Sequence, residues 1–219
     1  MRIISFDTET TGFCRVAGKQ VCDGHRVVEL ACVELSDEEN PLHFHTYFNP
    51  KRAVDEGAFS VHGLSNEFLL DKPGFHEKVD VFLEFIKGAT LIAHNASFDL
   101  AFLNQELSLI GYNNLQTYCH EVIDTLAIAR KKYPGKKNSL DALCQRLEID
   151  LSGRKFHGAL KDSLLLLKVY RKMTGGQVEL ELSTDVARSI LISDSIKIVK
   201  LFISEEEEQS HVDFIKTYC

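Results

Sequence analysis

Four carboxylates and one imidazole, spread over three distant segments, are the residues of this chain whose types and spacing can do chemistry: Asp7 and Glu9, then Asp99, then His157 and Asp162. Together they are a set able to hold two divalent cations and deprotonate one water. Asp7 and Glu9 close the apolar, β-favouring run Ile3-Ile4-Ser5-Phe6 and lead into the turn signal Thr10-Thr11-Gly12. Side chains two apart on a strand share a face, so the pair points one way. Crowded carboxylates in a low dielectric repel unless a cation sits between them. An Asp-x-Glu at a strand end is also what a solvated turn offers, so this pair gains weight only from the other segments.

Asp99 follows the short apolar strand pattern Thr90-Leu91-Ile92-Ala93-His94 and stands in the first turn of a helix pattern running from Phe98 to Ile110. There it can simply favour the helix N-terminus through the dipole, with Asn95 or Ser97 as cap. His157 stands in the loop before a helix that runs through Leu164-Leu165-Leu166-Leu167 toward Tyr170, and Asp162 sits on that helix. The apolar stripe of the helix needs neither.

Three motifs, DTETTG at 7–12, AHNASFD at 93–99 and HGALKD at 157–162, resemble those of the DEDDh family of 3′→5′ exonucleases and occur in the family's order. VHGLSNEFLLDKP at 61–73 and YPGKKNSLDALC at 133–144 extend the resemblance to the proofreading epsilon subunits of bacterial DNA polymerase III, over roughly residues 1–176. The loop from Phe13 to His25 looks longer than that family leads one to expect. The resemblance implies a ribonuclease H-like fold, a mixed sheet flanked by helices, whose central strand carries Asp7 and Glu9. It implies that Asp7, Glu9, Asp99 and Asp162 bind metal, and that Thr10, His62, Asn95 and Phe98 help seat the terminal nucleotide. A Phe beside a base suits a site that must accept any nucleotide.

Hard oxygen donors suit Mg²⁺ or Mn²⁺, and two such ions can stabilise the attacking and leaving oxygens of a phosphodiester displacement. Asp7 is the candidate to bridge them. An imidazole, with an ordinary pKa of about 6.5, can take a proton from water, which makes His157 the candidate general base.

Strands are expected near 2–8, 27–35, 42–48, 90–94 and 118–123, and helices near 76–87, 98–110, 124–132, 139–147 and 159–173. Three opening strands followed by alternating strands and helices describe an α/β domain. Asp124-Thr125 reads as one helix start, and Asn138 as the cap of the next. Gly135-Lys136-Lys137-Asn138-Ser139 lacks the earlier glycine and preceding strand of a phosphate loop and reads as a basic loop. His43 and His45 share one face of an exposed strand, where a ligand role is disfavoured.

The chain has 219 residues, 44% of them hydrophobic, enough for one sizeable domain at 1–176 and an appendage at 177–219. No run reaches the ~18 apolar residues of a membrane span, and the N-terminus lacks a signal-peptide pattern, so the expected compartment is the cytoplasm. Cysteines at 14, 22, 32, 119, 144 and 219 form no Cys-x-x-Cys; buried free thiols are expected. A net charge of −7 disfavours a protein that grips long duplex DNA by counterion release. It suits a subunit that processes a short single-stranded end while a partner holds the rest.

Gly175-Gly176 is expected to end the last catalytic helix. Gln177, Leu180 and Leu182 then resemble a short sliding-clamp-binding motif, with glutamates at the intervening positions. Ser195 to Ile203 has strand-like apolar content and Glu205 to Lys216 the polarity of an exposed helix. The segment resembles the tail through which epsilon subunits bind the polymerase catalytic (alpha) subunit, behind a shorter linker, and a small accessory subunit is a further partner the resemblance allows. The activity implied is proofreading removal of mismatched 3′ ends as 5′-monophosphates. The alternatives are a stand-alone exonuclease on RNA or short oligonucleotides and a non-catalytic replisome adaptor.

Overall fold

Alternation along the first strand decides which side of the molecule receives each functional residue. The computed structural model describes residues 2–36, 41–151 and 156–175. In it β1 (Ile3–Thr10), β2 (Val27–Glu34) and β3 (His43–Tyr47) form an antiparallel meander, while β4 (Thr90–Ala93) and β5 (Glu121–Asp124) add in parallel on the other side of β1. The sheet order β3-β2-β1-β4-β5 puts β1 at the centre, as the family resemblance implies.

Seven helices lie among the described residues: α1 (Glu56–His62), α2 (Asn66–Leu70), α3 (Val79–Ile86), α4 (Ala96–Leu109), α5 (Thr125–Lys132), α6 (Leu140–Arg146) and α7 (Ala159–Thr174). Ile4 and Phe6 of β1 join the larger core with Phe82, Phe102 and Leu103 from α3 and α4. Ile3, one residue out of phase, packs on the opposite face with Leu166 and Leu167 of α7. The period of two thus assigns Ile3, Ser5, Asp7 and Glu9 to the α7 side.

Small residues let α7 approach closely there. The Ser5 hydroxyl donates to the Ser163 carbonyl (3.0 Å), and the Ser163 hydroxyl lies 3.4 Å from the Ala31 carbonyl, all fully buried. A larger side chain at any of the three would push the helix outward.

Three local expectations are corrected. The expected helix at 76–87 is a 3₁₀ turn, Phe75–Glu77, followed by α3, with Glu77 accepting from the Gly74 amide. Helices α1 and α2 have no counterpart among the expected elements: each is under eight residues, too short for an apolar stripe to declare itself. Ser139, not Asn138, caps α6, its hydroxyl accepting from the Ala142 amide, while Asn138 is buried and donates to the Tyr133 carbonyl. Asp124 does cap α5, accepting from the Leu126 amide, and Gly175 ends α7 in the left-handed conformation. Asn95 occupies the cap position of α4 with no side-chain capping bond.

The five cysteines other than Cys219 are free thiols; Cys22, Cys32 and Cys144 are buried, Cys14 and Cys119 half-buried. No helix among the described residues is long and apolar enough to cross a membrane. Gln177, Leu180, Leu182 and the rest of the expected tail lie outside the described residues.

Candidate active site

Beyond Ser5, where β1 no longer pairs with β4 but still pairs with β2, Asp7 and Glu9 project to the α7 side and Asp162 comes down from the first turn of α7 to meet them. One carboxylate oxygen from each lies within 4.8 Å of the others. Burial and the surrounding carboxylates, Asp99, Glu9, Asp162 and Glu29, push the Asp7 pKa well above the ordinary carboxylate value. Burial and crowding both disfavour the carboxylate charge here, and a cation would relieve both. The donor set therefore fits a hard divalent ion, all oxygen and no thiolate.

Asp99 arrives from the other side. It stands in the first turn of α4, 4% exposed, and one of its oxygens accepts from both the backbone amide (3.1 Å) and the hydroxyl (2.7 Å) of Thr8. Burial raises its pKa to about 7, with the Thr8 hydrogen bonds acting in the opposite direction. It lies outside the three-oxygen cluster, but of the neighbouring charges it acts most strongly on Asp7.

His157 lies in the loop before α7, about half exposed, its Nδ1 3.2 Å from Asp162 Oδ2. The loop is fastened at two further points: the His157 amide donates to the Val61 carbonyl of α1 (3.1 Å), and the Phe156 ring packs on Gly63. A Cβ at Gly63 would stand 3.3 Å from that ring. The unexpected helix α1 is thus the shelf on which the His157 loop rests.

Thr10, His62 and Phe98 line one cavity of about 580 Å³ together with Glu9, Phe13 and Arg15. His62 is 5% exposed, donates from Nε2 to the Thr10 carbonyl (3.1 Å) and accepts at Nδ1 from the Leu64 amide (3.0 Å), and burial lowers its pKa. It is a neutral, fixed wall. Phe13 meets Phe98 edge-on at 6.2 Å, and Phe98 packs on Phe102 at 4.9 Å. Asn95 does not line this cavity; its amide donates to Asp124 and it borders a neighbouring groove. Gly12 turns the chain at the cavity rim with φ +133°, where an added Cβ would stand 2.6 Å from Asp55 and 2.9 Å from His25.

Glu29 is the residue that sequence reasoning missed. It sits opposite Glu9 in the β1–β2 register, 3% exposed, with one oxygen 2.8 Å from His45 Nε2; Tyr47 is its other partner. His43 and His45 do share a face, yet only His43 is exposed; His45 turns inward onto Glu29. The signal was a lone Glu within the apolar run of β2, with His45 and Tyr47 two residues apart and so on one face of the next strand.

The family model described as Exonuclease matches residues 4–170. DNA polymerase III subunit epsilon of Salmonella typhimurium (strain LT2) is 43% identical, the match covering 96% of this chain and 90% of the relative. The Escherichia coli (strain K12) subunit of the same name is 42% identical over the same shares. Among solved structures, the nuclease domain of 3′hExo, a DEDDh family member, bound to rAMP, superposes with a TM-score of 0.67 at 18% identity, covering 81% of this chain and 94% of that one. At that identity the likeness speaks for the fold alone.

Proposed function

The chain belongs to the exonuclease family that includes DNA polymerase III subunit epsilon, and we propose that, as a 3′→5′ exonuclease, it proofreads for a replicative DNA polymerase by removing mismatched 3′-terminal nucleotides as 5′-monophosphates. The observation that carries this reading is the convergence of Asp7, Glu9 and Asp162 within 4.8 Å, beside a cavity walled by Thr10, His62 and Phe98.

In this reading Asp7, Glu9, Asp99 and Asp162 would hold two Mg²⁺ or Mn²⁺ ions, Asp7 being the carboxylate that feels all the others. When bound, the cations make a water acidic enough to attack and offset the charge that grows on the phosphodiester oxygens. His157 accepts the proton of the attacking water at Nε2, its ring oriented through Nδ1 by Asp162. His62 and Thr10 fix the wall against which the terminal nucleoside rests, and Phe98 offers a ring face to any base. Selection of errors comes from the DNA. A 3′ end must be unpaired to enter, and a mismatch lowers that cost.

Residues 1–176 form the exonuclease domain in this reading, and 177–219 the linker and tail that bind the polymerase catalytic subunit, in the cytoplasm at the replisome. Gln177, Leu180 and Leu182 serve a sliding clamp, and a small accessory subunit is a further partner. The test has two arms. Mismatched primer ends should be trimmed faster than matched ones in Mg²⁺; equal rates at moderate temperature would refute proofreading. The full chain should copurify with a polymerase catalytic subunit and lose it when 183–219 are removed. Retained binding after truncation would refute the role of the tail, and failure of the full chain to copurify would favour the stand-alone reading.

A further inference from the structure

Beside the anionic cluster lies a groove of opposite character. It has a volume of about 500 Å³, and its lining includes Asn95, Arg130, Lys136 and Ser139. Asn95 immediately precedes α4 and Asp99 lies one turn along that helix, so the groove opens within about 6 Å of backbone from the site, at 1.5 Å rise per residue.

The groove is built rigidly. His94 spans it at the base, with Nδ1 3.0 Å from the Thr125 hydroxyl and Nε2 2.8 Å from the Asn138 carbonyl. Arg146 clamps the loop from behind, donating to the Asn138 side chain (3.2 Å) and the Lys137 carbonyl (2.8 Å) while its guanidinium covers the Tyr133 ring. Lys132 is likewise committed, donating to the Met173 carbonyl. Arg130 and Lys136 are different: both are exposed, and among the described residues neither enters an ion pair. Two cations are thus held on a fixed scaffold, in a chain whose net charge is −7.

We propose that this groove binds the phosphodiester backbone of the single strand a few nucleotides upstream of the 3′ end, with Arg130 and Lys136 as its phosphate contacts. The inference rests on the exonuclease reading for the identity of the occupant. Charge complementarity and continuity with the site select a nucleic-acid backbone. The lining is polar and cationic, and both nitrogens of His94 are engaged, so it grips phosphate without reading bases. It supplies what an acidic cluster cannot, attraction for a polyanion at a distance from the bound cations.

The experiment compares the full chain with an R130A/K136A variant on two probes. One is a 5′-labelled single-stranded oligothymidylate with a hydrolysis-resistant 3′ phosphorothioate, its binding followed by anisotropy in Ca²⁺ against salt. The other is the p-nitrophenyl ester of thymidine 5′-monophosphate, too small to reach the groove. Oligonucleotide affinity should fall about tenfold or more, and the slope of log K against log salt should shrink by about 1.4, about 0.7 for each lost contact on a single strand. Hydrolysis of the small ester should be unchanged, and R130K/K136R should restore binding. Unchanged affinity and slope overturn the proposal. So does an equal loss on both probes, which would place the effect in the active site or the fold, and so does intact DNA binding with weakened polymerase copurification, which would make the groove a protein interface. If the unmodified chain fails to hydrolyse the small ester in Mg²⁺, the exonuclease reading fails, while the binding comparison still reports on the groove.

Discussion

The two sides of β1 handle buried carboxylates differently. On the α7 side, Asp7, Glu9 and Asp162 crowd together, and burial together with that crowding drives the Asp7 pKa upward. On the α4 side, Asp99 is more deeply buried yet receives two hydrogen bonds from Thr8. The first arrangement is unfavourable without a cation; the second is partly satisfied by the protein alone. If the proposed metal reading holds, the site would carry one pre-oriented ligand and three whose mutual repulsion an ion would relieve.

The sharpest way to break that contrast is at its centre. Asp7→Ala should abolish divalent-dependent nucleotide release while leaving a folded chain, checked by circular dichroism; substantial Mg²⁺-dependent activity in the folded variant would rule out the metal reading. His157→Ala should cost on the order of 10²–10⁴-fold in kcat and remove the acidic limb of the pH–rate profile. A wild-type profile with no such limb would dismiss His157 as the base.

Glu29→Ala sharpens the comparison from behind the cluster. Glu29 stands opposite Glu9, adds to the charge around Asp7, and lies within 4 Å of the position a Cβ would take on Gly158, so it borders both the cluster and the His157 turn. A loss of about 10–100-fold is expected, the usual range for residues that orient metal ligands. It should appear in kcat and in the Mg²⁺ concentration needed, with the melting temperature little changed. His45→Ala should follow it; full activity in both would show that the pair serves the fold only.

The smallest effect expected is on stability. Asp7 and Asp99 have folded-state pKa values raised above their unfolded ones, so their contribution is full below the unfolded value and is lost as pH rises through about 7 for Asp99. The metal-free protein should therefore melt lower at about pH 8 than at about pH 5, and Mg²⁺ or Mn²⁺ should restore the difference mainly at the higher pH. A metal-free melting temperature that rises over this range would contradict the crowding account. Thr8→Val should steepen the loss by withdrawing a hydroxyl donor worth about 1.5–3 kcal/mol to a charged acceptor.

Much of this site could be read from residues alone because its pieces are local. Asp7 and Glu9 share a face since a strand repeats every two residues, and Asp99 falls in a first turn because Ala93-His94-Asn95 ends a strand and a helical pattern follows. The misses have equally specific causes. Helices α1 and α2 are too short to show periodicity, yet α1 anchors the His157 loop at Val61. Glu29 drew no reading from the sequence, because its meaning lies in the register that places it against Glu9 and in the edge strand that brings His45.

By itself, then, the order of residues determined which groups could bind a cation or take a proton, and that the chain alternates strand and helix around an apolar core. Tertiary structure decided which of them meet. Asp162 meets Asp7 where Ser5, Ala31 and Ser163 let α7 lie close on the sheet, and Asn95, its backbone amide held by Asp124, lines a different groove from Thr10, His62 and Phe98. The physical reason is that side-chain chemistry and backbone period are short-range properties written in the sequence, whereas convergence depends on packing between segments more than a hundred residues apart.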